Sequence, residues 1–271
     1  MPFSLTNAPA SCQRYVNDTL WELLDIFCVC YLDDILLYSE ILEEHHQQVW
    51  QVLEKLYNAE PYIKLEKREF NVTTTTSLGF VISLKGISMD PEKVQVVQRW
   101  EKPKCVWDPQ CFLGFANFYQ KFIEGYSCIC QPMFNLLKKE KEWNWNKDCQ
   151  MVFDQLKESF CTAPILKHFD PTLETILETD ISDYVVSGIL RQKHVENGKP
   201  VLHPVTCLSD KMSPAECNYC IGDKELLKII ACLKKWHIYL HALRKPFIIY
   251  TNHYNLYTFS TKSLLNQRQA Q

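Results

Sequence analysis

Asp33 and Asp34 stand side by side between two apolar, β-favouring runs: Ile26-Phe27-Cys28-Val29-Cys30-Tyr31-Leu32 before them and Ile35-Leu36-Leu37-Tyr38 after. Few folds accommodate this. Runs of that composition form strands, and a polar pair interrupting them forms a turn, so a β-hairpin with two carboxylates at its acidic turn is expected. Adjacent carboxylates repel one another unless a cation lies between them, and oxygen-only ligation suits magnesium. Taken alone, the dipeptide is more simply read as a solvated acidic turn. Its surroundings have to decide.

Around this hairpin the sequence lays out a series of elements. Asn7-Ala8-Pro9 can open a helix with Asn7 as cap, and Val16, Leu20, Leu23 and Leu24 give that helix one apolar face. A second helix follows the hairpin, carrying Val49, Val52, Leu53 and Leu56 on one side and His45, Gln48 and Glu54 toward water. Residues 62–88 alternate short strand-like runs with turns, with a break at Gly86. Asp90-Pro91-Glu92 is a helix start, and the reading stays helical to about residue 162, where Phe112, Phe115, Tyr119 and Phe122 form an aromatic stripe suited to a bundle core. After Ala163-Pro164 the pattern changes. Leu173–Glu178, Tyr184–Leu190 and Val201–Cys207 read as three strands with turns at Ser182-Asp183 and Asn197-Gly198. Ser213-Pro214-Ala215-Glu216 is a capping box ahead of a helix whose inner side is read as Leu226, Leu227, Ile230, Leu233 and Trp236. Pro246–Thr251 makes a fourth strand, with a short helix expected near Leu256.

Composition narrows the classes of function. The 271 residues are 46% hydrophobic and 23% charged, which is ordinary folded composition and enough for two or three cores. No apolar run is long enough to span a bilayer, and Met1-Pro2-Phe3 opens no signal peptide, so no membrane role and an intracellular location, cytoplasmic or nuclear, are expected. A net charge of −3 announces no nucleic-acid partner by itself, so any such partner has to be argued from sites. The 13 cysteines, an odd number, read as free buried thiols. Cys217-x-x-Cys220, with His203 and Cys207 upstream, has the one metal-like spacing. It lacks a second tight pair, which favours core cysteines over zinc.

The surroundings of the acidic pair carry a resemblance. Tyr31-Leu32-Asp33-Asp34-Ile35-Leu36-Leu37-Tyr38-Ser39 resembles the Tyr-x-Asp-Asp signature of reverse transcriptases. Met1-Pro2-Phe3-Ser4-Leu5-Thr6-Asn7-Ala8-Pro9 resembles the nucleotide-site segment of gypsy-type LTR retrotransposons, which normally have glycine where Ser4 stands. Ser77-Leu78-Gly79, Met89-Asp90-Pro91-Glu92-Lys93-Val94 and Phe112-Leu113-Gly114-Phe115-Ala116-Asn117-Phe118-Tyr119 follow in the family's order. The resemblance covers essentially the whole chain. It implies an α+β multidomain fold: a reverse-transcriptase palm fragment over 1–88, a helical thumb and connection over 89–163, and an RNase H-like α/β domain with a mixed sheet over 164–271, truncated at its C terminus. It further implies Pro2, Phe3 and Ser4 as nucleotide-binding, Asp33 and Asp34 as polymerase metal ligands, magnesium or manganese as cofactor, and an RNA template or RNA–DNA hybrid as partner. In the family the fingers and the first metal-binding aspartate precede the Met-Pro-Phe segment, so polymerase inactivity of this chain is expected.

RNase H chemistry places two metals among carboxylates from separate elements. Glu178-Thr179-Asp180-Ile181-Ser182-Asp183 resembles the family's first-strand motif and Asp223-Lys224-Glu225-Leu226-Leu227 its helix motif, which makes Asp180 and Glu225 the expected ligands. Where the family has Tyr-Thr-Asp-His this chain has Tyr250-Thr251-Asn252-His253, and the substitution removes a full negative charge. The sequence also stops at Gln271, before a further aspartate of the family. The expectation is therefore a fragment of polymerase and ribonuclease ancestry, inactive as it stands. Alternatives are a domesticated module that binds hybrid or a protein partner, supported by Lys234-Lys235 and Arg244-Lys245, and a weakly active metal-dependent RNase H. Asp180 and Asn252 are expected at neighbouring strand ends, with Glu225 facing them.

Overall fold

Strands β1 (Cys28–Tyr31) and β2 (Asp34–Leu37) pair antiparallel, with Tyr31 opposite Asp34, so Leu32 and Asp33 alone make the turn. Helix α1 (Ala8–Leu20) precedes the hairpin and α2 (Leu42–Asn58) follows it. Asn7 stands at the cap position of α1 without a side-chain capping bond. Leu20 at the end of α1, Leu23 after it, Phe27 just before β1, Cys28 of β1, and Val52 and Leu56 of α2 form one buried cluster, with Val16, Leu24, Cys30, Ile35 and Leu37 packed against it. Burying each such side chain contributes about 1.5–3 kcal/mol, which is how two helices hold a small hairpin in shape. In this computed structural model residues 6–59, 68–138, 141–182 and 184–251 are described, and the chain divides into two compact units, Met1–Leu84 and Lys85–Gln271. The first unit also contains the hairpin of β3 (Thr74–Ser77) and β4 (Phe80–Ser83), turned by Leu78-Gly79 with φ of 51° and 78°.

The second unit begins at β5 (Gly86–Met89). Gly86, expected as a break, is instead the first strand residue: its φ is +133°, and a Cβ there would lie 2.1 Å from the Leu166 carbonyl oxygen. The next residue, Ile87, exchanges two backbone hydrogen bonds with Leu166, at 2.7 and 2.9 Å. Helix α3 (Pro91–Gln98) starts as the sequence indicates, with the Asp90 carboxylate accepting from the Glu92 N–H at 2.9 Å. Then come α4 (Trp107–Phe118), a short 3-10 turn at Gln120–Phe122, α5 (Tyr126–Ile129), α6 (Gln131–Leu136) and α7 (Lys147–Cys161). The aromatic stripe is core: Phe112, Tyr119 and Phe122 are buried, and Phe112 meets Trp100 at 5.5 Å and Phe153 of α7 at 4.7 Å between centroids.

A four-stranded mixed sheet follows, ordered β8–β7–β6–β9, from β6 (Thr175–Ser182), β7 (Val185–Glu196), β8 (Lys199–Lys211) and β9 (Ile248–Tyr250). Neighbours run antiparallel except β6 and β9, which are parallel. The strands outrun their apolar cores. Polar stretches such as Gln192-Lys193-His194 continue the β7–β8 ladder past a register shift between Leu190 and Arg191, and the Asn197-Gly198 turn, both residues at positive φ, closes it. Ser127, at the α5 helix, donates its N–H to Ser209 Oγ at 2.8 Å and its hydroxyl to the Ser209 carbonyl at 2.6 Å, a buried pair that docks the helical segment on one face of the sheet.

Helix α8 (Ile221–Lys235) covers the other face. The capping box at Ser213 and Glu216 forms, at 2.7 and 3.3 Å, but it closes only a 3-10 turn, and the helix proper starts five residues later. Of the expected inner side Trp236 is buried, but the rest differs. Asp223, Glu225, Lys228, Cys232 and Trp236 are buried, whereas Leu226, Leu227 and Leu233 are half-buried and Ile230 is exposed. Gly188 sets this rotation: a Cβ on it would lie 2.6 Å from Cys232 Sγ and 3.4 Å from the Trp236 ring. No helix among the described residues is long and apolar enough to cross a membrane. Gly188→Ala is expected to cost about 1–3 kcal/mol through overpacking, read as a lower thermal midpoint. The Gly188→Ala/Cys232→Ala double variant, which removes the sulfur, should be more stable than Gly188→Ala alone.

Candidate functional site

The acidic hairpin is held from behind. Leu32, first of the two turn residues, has φ of +52°, a region where a leucine is strained by roughly 1–3 kcal/mol. Two-residue turns that match the twist of their strands need a positive φ, usually supplied by glycine. Here Gln13 on α1 compensates: its Oε1 accepts from the Leu32 N–H at 2.7 Å, and its Nε2 donates to the Cys30 carbonyl at 3.2 Å and to Asn17 Oδ1 at 2.8 Å. One amide thus grips both ends of the strand's last turn. Asp33 and Asp34 are left exposed at the tip. Behind them Cys28 and Cys30 lie 3.6 Å apart, and this contact together with burial pushes the Cys28 thiol up, which keeps it protonated and inert. Two exposed carboxylates at the hairpin tip offer a hard divalent cation two of the several oxygen ligands it takes. Pro2, Phe3 and Ser4 lie outside the described residues.

A second group of chemical residues gathers at the carboxyl ends of β6 and β9. Because β6 and β9 run parallel, with Glu178 beside Tyr250, Thr251 follows next to Thr179, whose hydroxyl donates to the Tyr250 carbonyl at 3.2 Å. The Thr251 hydroxyl donates to Glu225 Oε2 at 3.3 Å, which brings the α8 carboxylate to the same strand ends as Asp180. Strand alternation gives the two carboxylates different sides, which overturns the expectation that Glu225 faces Asp180. Thr179 and its partner Gly188 face α8, while Asp180, opposite Ser187, shares the other face with Glu178, whose carboxylate accepts from Arg191 Nε at 2.9 Å. Asp180 is exposed and Glu225 is buried. Asn252 lies outside the described residues.

The donor set at Glu225 does not fit a divalent cation. Its Oε2 already lies 2.6 Å from the ammonium of Lys228, a residue whose side chain is only 1% exposed. Among the described residues no group of three or more His, Cys, Asp or Glu could hold a metal. At the zinc-like spacing Cys217 is half-buried and Cys220 exposed, and burial pushes the Cys207 thiol up to about 12, which disfavours the thiolate that zinc requires. His203 instead lies 2.9 Å from Glu196.

Sequence reasoning did not single out Gln13, Lys228 or Thr251. Gln13 left no signal, since a glutamine on a helix reads as solvated. Glu225 and Lys228 are three apart on a helix and legible as an ion pair, but nothing in the sequence distinguished a buried pair from a surface one.

Comparison with known proteins agrees with this layout. Residues 1–82 match the model of reverse transcriptase, the RNA-dependent DNA polymerase, and residues 145–249 match the RNase H-like domain found in reverse transcriptase. The Transposon Tf2-3 and Tf2-4 polyproteins of Schizosaccharomyces pombe are each 39% identical over 256 residues, 94% of this chain. The chain spans 19% of their length. Among solved structures, a foamy viral protease-reverse transcriptase in complex with dsDNA superposes with a TM-score of 0.77 at 22% identity, over 97% of this chain and 54% of that one. The same viral protein in complex with RNA/DNA hybrid gives 0.75 at 22% identity, over 100% and 36%. At that identity the likeness shows the fold.

Gln13→Leu is expected to leave the α1–α2 packing in place and free the hairpin tip. Losing one net hydrogen bond of about 1 kcal/mol should speed amide hydrogen exchange at Leu32 by roughly tenfold at most. Exchange at Val52 and Leu56 should not change.

Proposed function

The chain belongs, through residues 1–82, to the reverse transcriptases and, through residues 145–249, to the RNase H-like domains found in them, and on that premise we propose that it engages primer–template nucleic acid at a divalent-cation hairpin and grips RNA–DNA hybrid with a non-hydrolysing RNase H-like domain. One observation carries the reading: Asp33 and Asp34 are exposed at the hairpin tip, Asp33 in the two-residue turn and Asp34 opening β2, and Gln13 bonds the strained turn residue Leu32. Asp33 and Asp34 are the residues that would hold magnesium or manganese. When bound, the ion supplies charge neutralisation to phosphoryl oxygens. What the chain itself contributes is placement of the hairpin backbone, since Gln13 on α1 bonds the Leu32 N–H and the Cys30 carbonyl while α1 and α2 pack against its base.

For the second domain the support is chemical. An asparagine at position 252 withdraws one negative charge from a centre that in RNase H chemistry gathers carboxylates around two dications. Affinity for hybrid has another source in Lys234 and Lys235, exposed in the last turn of α8, and in Arg244 and Lys245, exposed after α9 (His237–His241). Such cations contact phosphates without reading sequence. The two titrations of salt and metal separate this binding from a purely structural role.

The test uses the full chain and a fluorescently labelled RNA–DNA primer–template. Mn2+ affinity should fall by at least about tenfold in Asp33→Asn/Asp34→Asn, a loss that even residues one shell removed from a metal can cause. Unchanged Mn2+ affinity would remove the hairpin from the proposal. Lys234→Ala/Lys235→Ala should lower the slope of log binding constant against log salt by about two, one for each phosphate no longer neutralised. Incubation of the hybrid with Mg2+ or Mn2+ should yield no RNA cleavage, and cleavage dependent on Glu225 would overturn the non-hydrolysing assignment.

A further inference from the structure

Lys228 is the most deeply buried charged side chain at the sheet's carboxyl end, 1% exposed, and its ammonium touches a carboxylate that is itself only 6% exposed. It occupies the helix row of Glu225, Cys232 and Trp236 that meets the sheet. A lone ammonium is not tolerated there, because desolvation penalises an unpaired charge heavily. The pairing at 2.6 Å resolves that penalty for both groups, and the Thr251 hydroxyl adds a further donor to the same oxygen. The charge of Glu225 is therefore already answered at Oε2 by a cation tethered one helical turn away. A dication approaching the same carboxylate would also face the buried ammonium, like charge against like in a weakly screening interior.

We propose that Lys228 is a built-in counter-ion that takes the place of a divalent cation at Glu225, so that the RNase H-like domain assembles around an internal ion pair and its helix carboxylate loads no metal. The inference rests on reading Glu225 as the helix carboxylate of an RNase H-like site. It goes beyond the absence of cleavage by naming the group that occupies the centre. It also makes the domain's stability independent of metal.

The test is run on the full chain in an Asp33→Asn/Asp34→Asn background, so that the hairpin takes up no ion. Mn2+ binding is followed by the paramagnetic resonance signal of the free ion, and thermal midpoints are measured in EDTA and in Mn2+. With Lys228 present, the midpoint should be the same in both, and no Mn2+ site should depend on Glu225. Lys228→Met, similar in length and uncharged, should lower the midpoint in EDTA by several degrees and regain it in Mn2+. It should also acquire an Mn2+ site at least about tenfold tighter than in the lysine-bearing chain, because the buried carboxylate then lacks a partner. That site should vanish in Lys228→Met/Glu225→Gln. Mn2+ uptake by the lysine-bearing chain that Glu225→Gln removes would overturn the proposal, and this comparison decides it even if Lys228→Met fails to fold. A folded Lys228→Met chain that gains no Mn2+ site would instead overturn the reading of Glu225 as a metal carboxylate, and the inference with it.

Discussion

The rotation of α8 on its sheet is the constraint from which the rest of the second unit follows. Gly188 presents no Cβ, so Cys232 and Trp236 can lie directly on the strands beside Leu177, Leu190, Val205 and Leu208. Once Cys232 faces inward, helical geometry brings Lys228 and Glu225 inward as well, since they stand four and seven residues earlier on the same row. Two charged residues are then committed to the interior before any metal or nucleic acid is considered. Their mutual ion pair is the response to a packing decision made elsewhere. The surroundings of the carboxylate at position 225 are thus set by a glycine on strand β7.

The acidic hairpin illustrates the opposite economy. Its tip must be exposed to be of use, so it can draw little stability from burial. What it draws on instead is a buried base of leucine, phenylalanine, cysteine and valine from two helices, plus a side-chain amide that answers the backbone at Leu32 and Cys30. Positive φ at a leucine persists only where the surroundings over-determine it. A strained turn gripped in this way fixes the backbone from which the exposed Asp33 and Asp34 side chains project.

The two candidate centres therefore differ in kind. At residues 33 and 34 the carboxylates are exposed on a turn and suit a hard cation. At residue 225 the carboxylate is desolvated and answered by an ammonium from within. This difference comes from single side chains: Gln13 in one case, Lys228 in the other.

Much of this was legible in the order of residues. Apolar runs around Asp33-Asp34 specified the hairpin, Asp90-Pro91 specified a helix start, and Asn197-Gly198 specified a strand reversal, because turns, caps and alternation are local and depend on near neighbours. Asp180 and Glu225 were marked instead by resemblance to the family's strand and helix motifs, not by local geometry. The sequence could not decide which face of α8 is inside. Periodicity pointed to leucines and isoleucine, whereas the close approach at Gly188 turned Glu225, Lys228 and Cys232 inward. Nor could it separate a buried ion pair from a solvated one, or find the glutamine that closes over the hairpin from nineteen residues away. Those outcomes depend on which elements meet in space, and a charge can be buried only where tertiary packing delivers its partner.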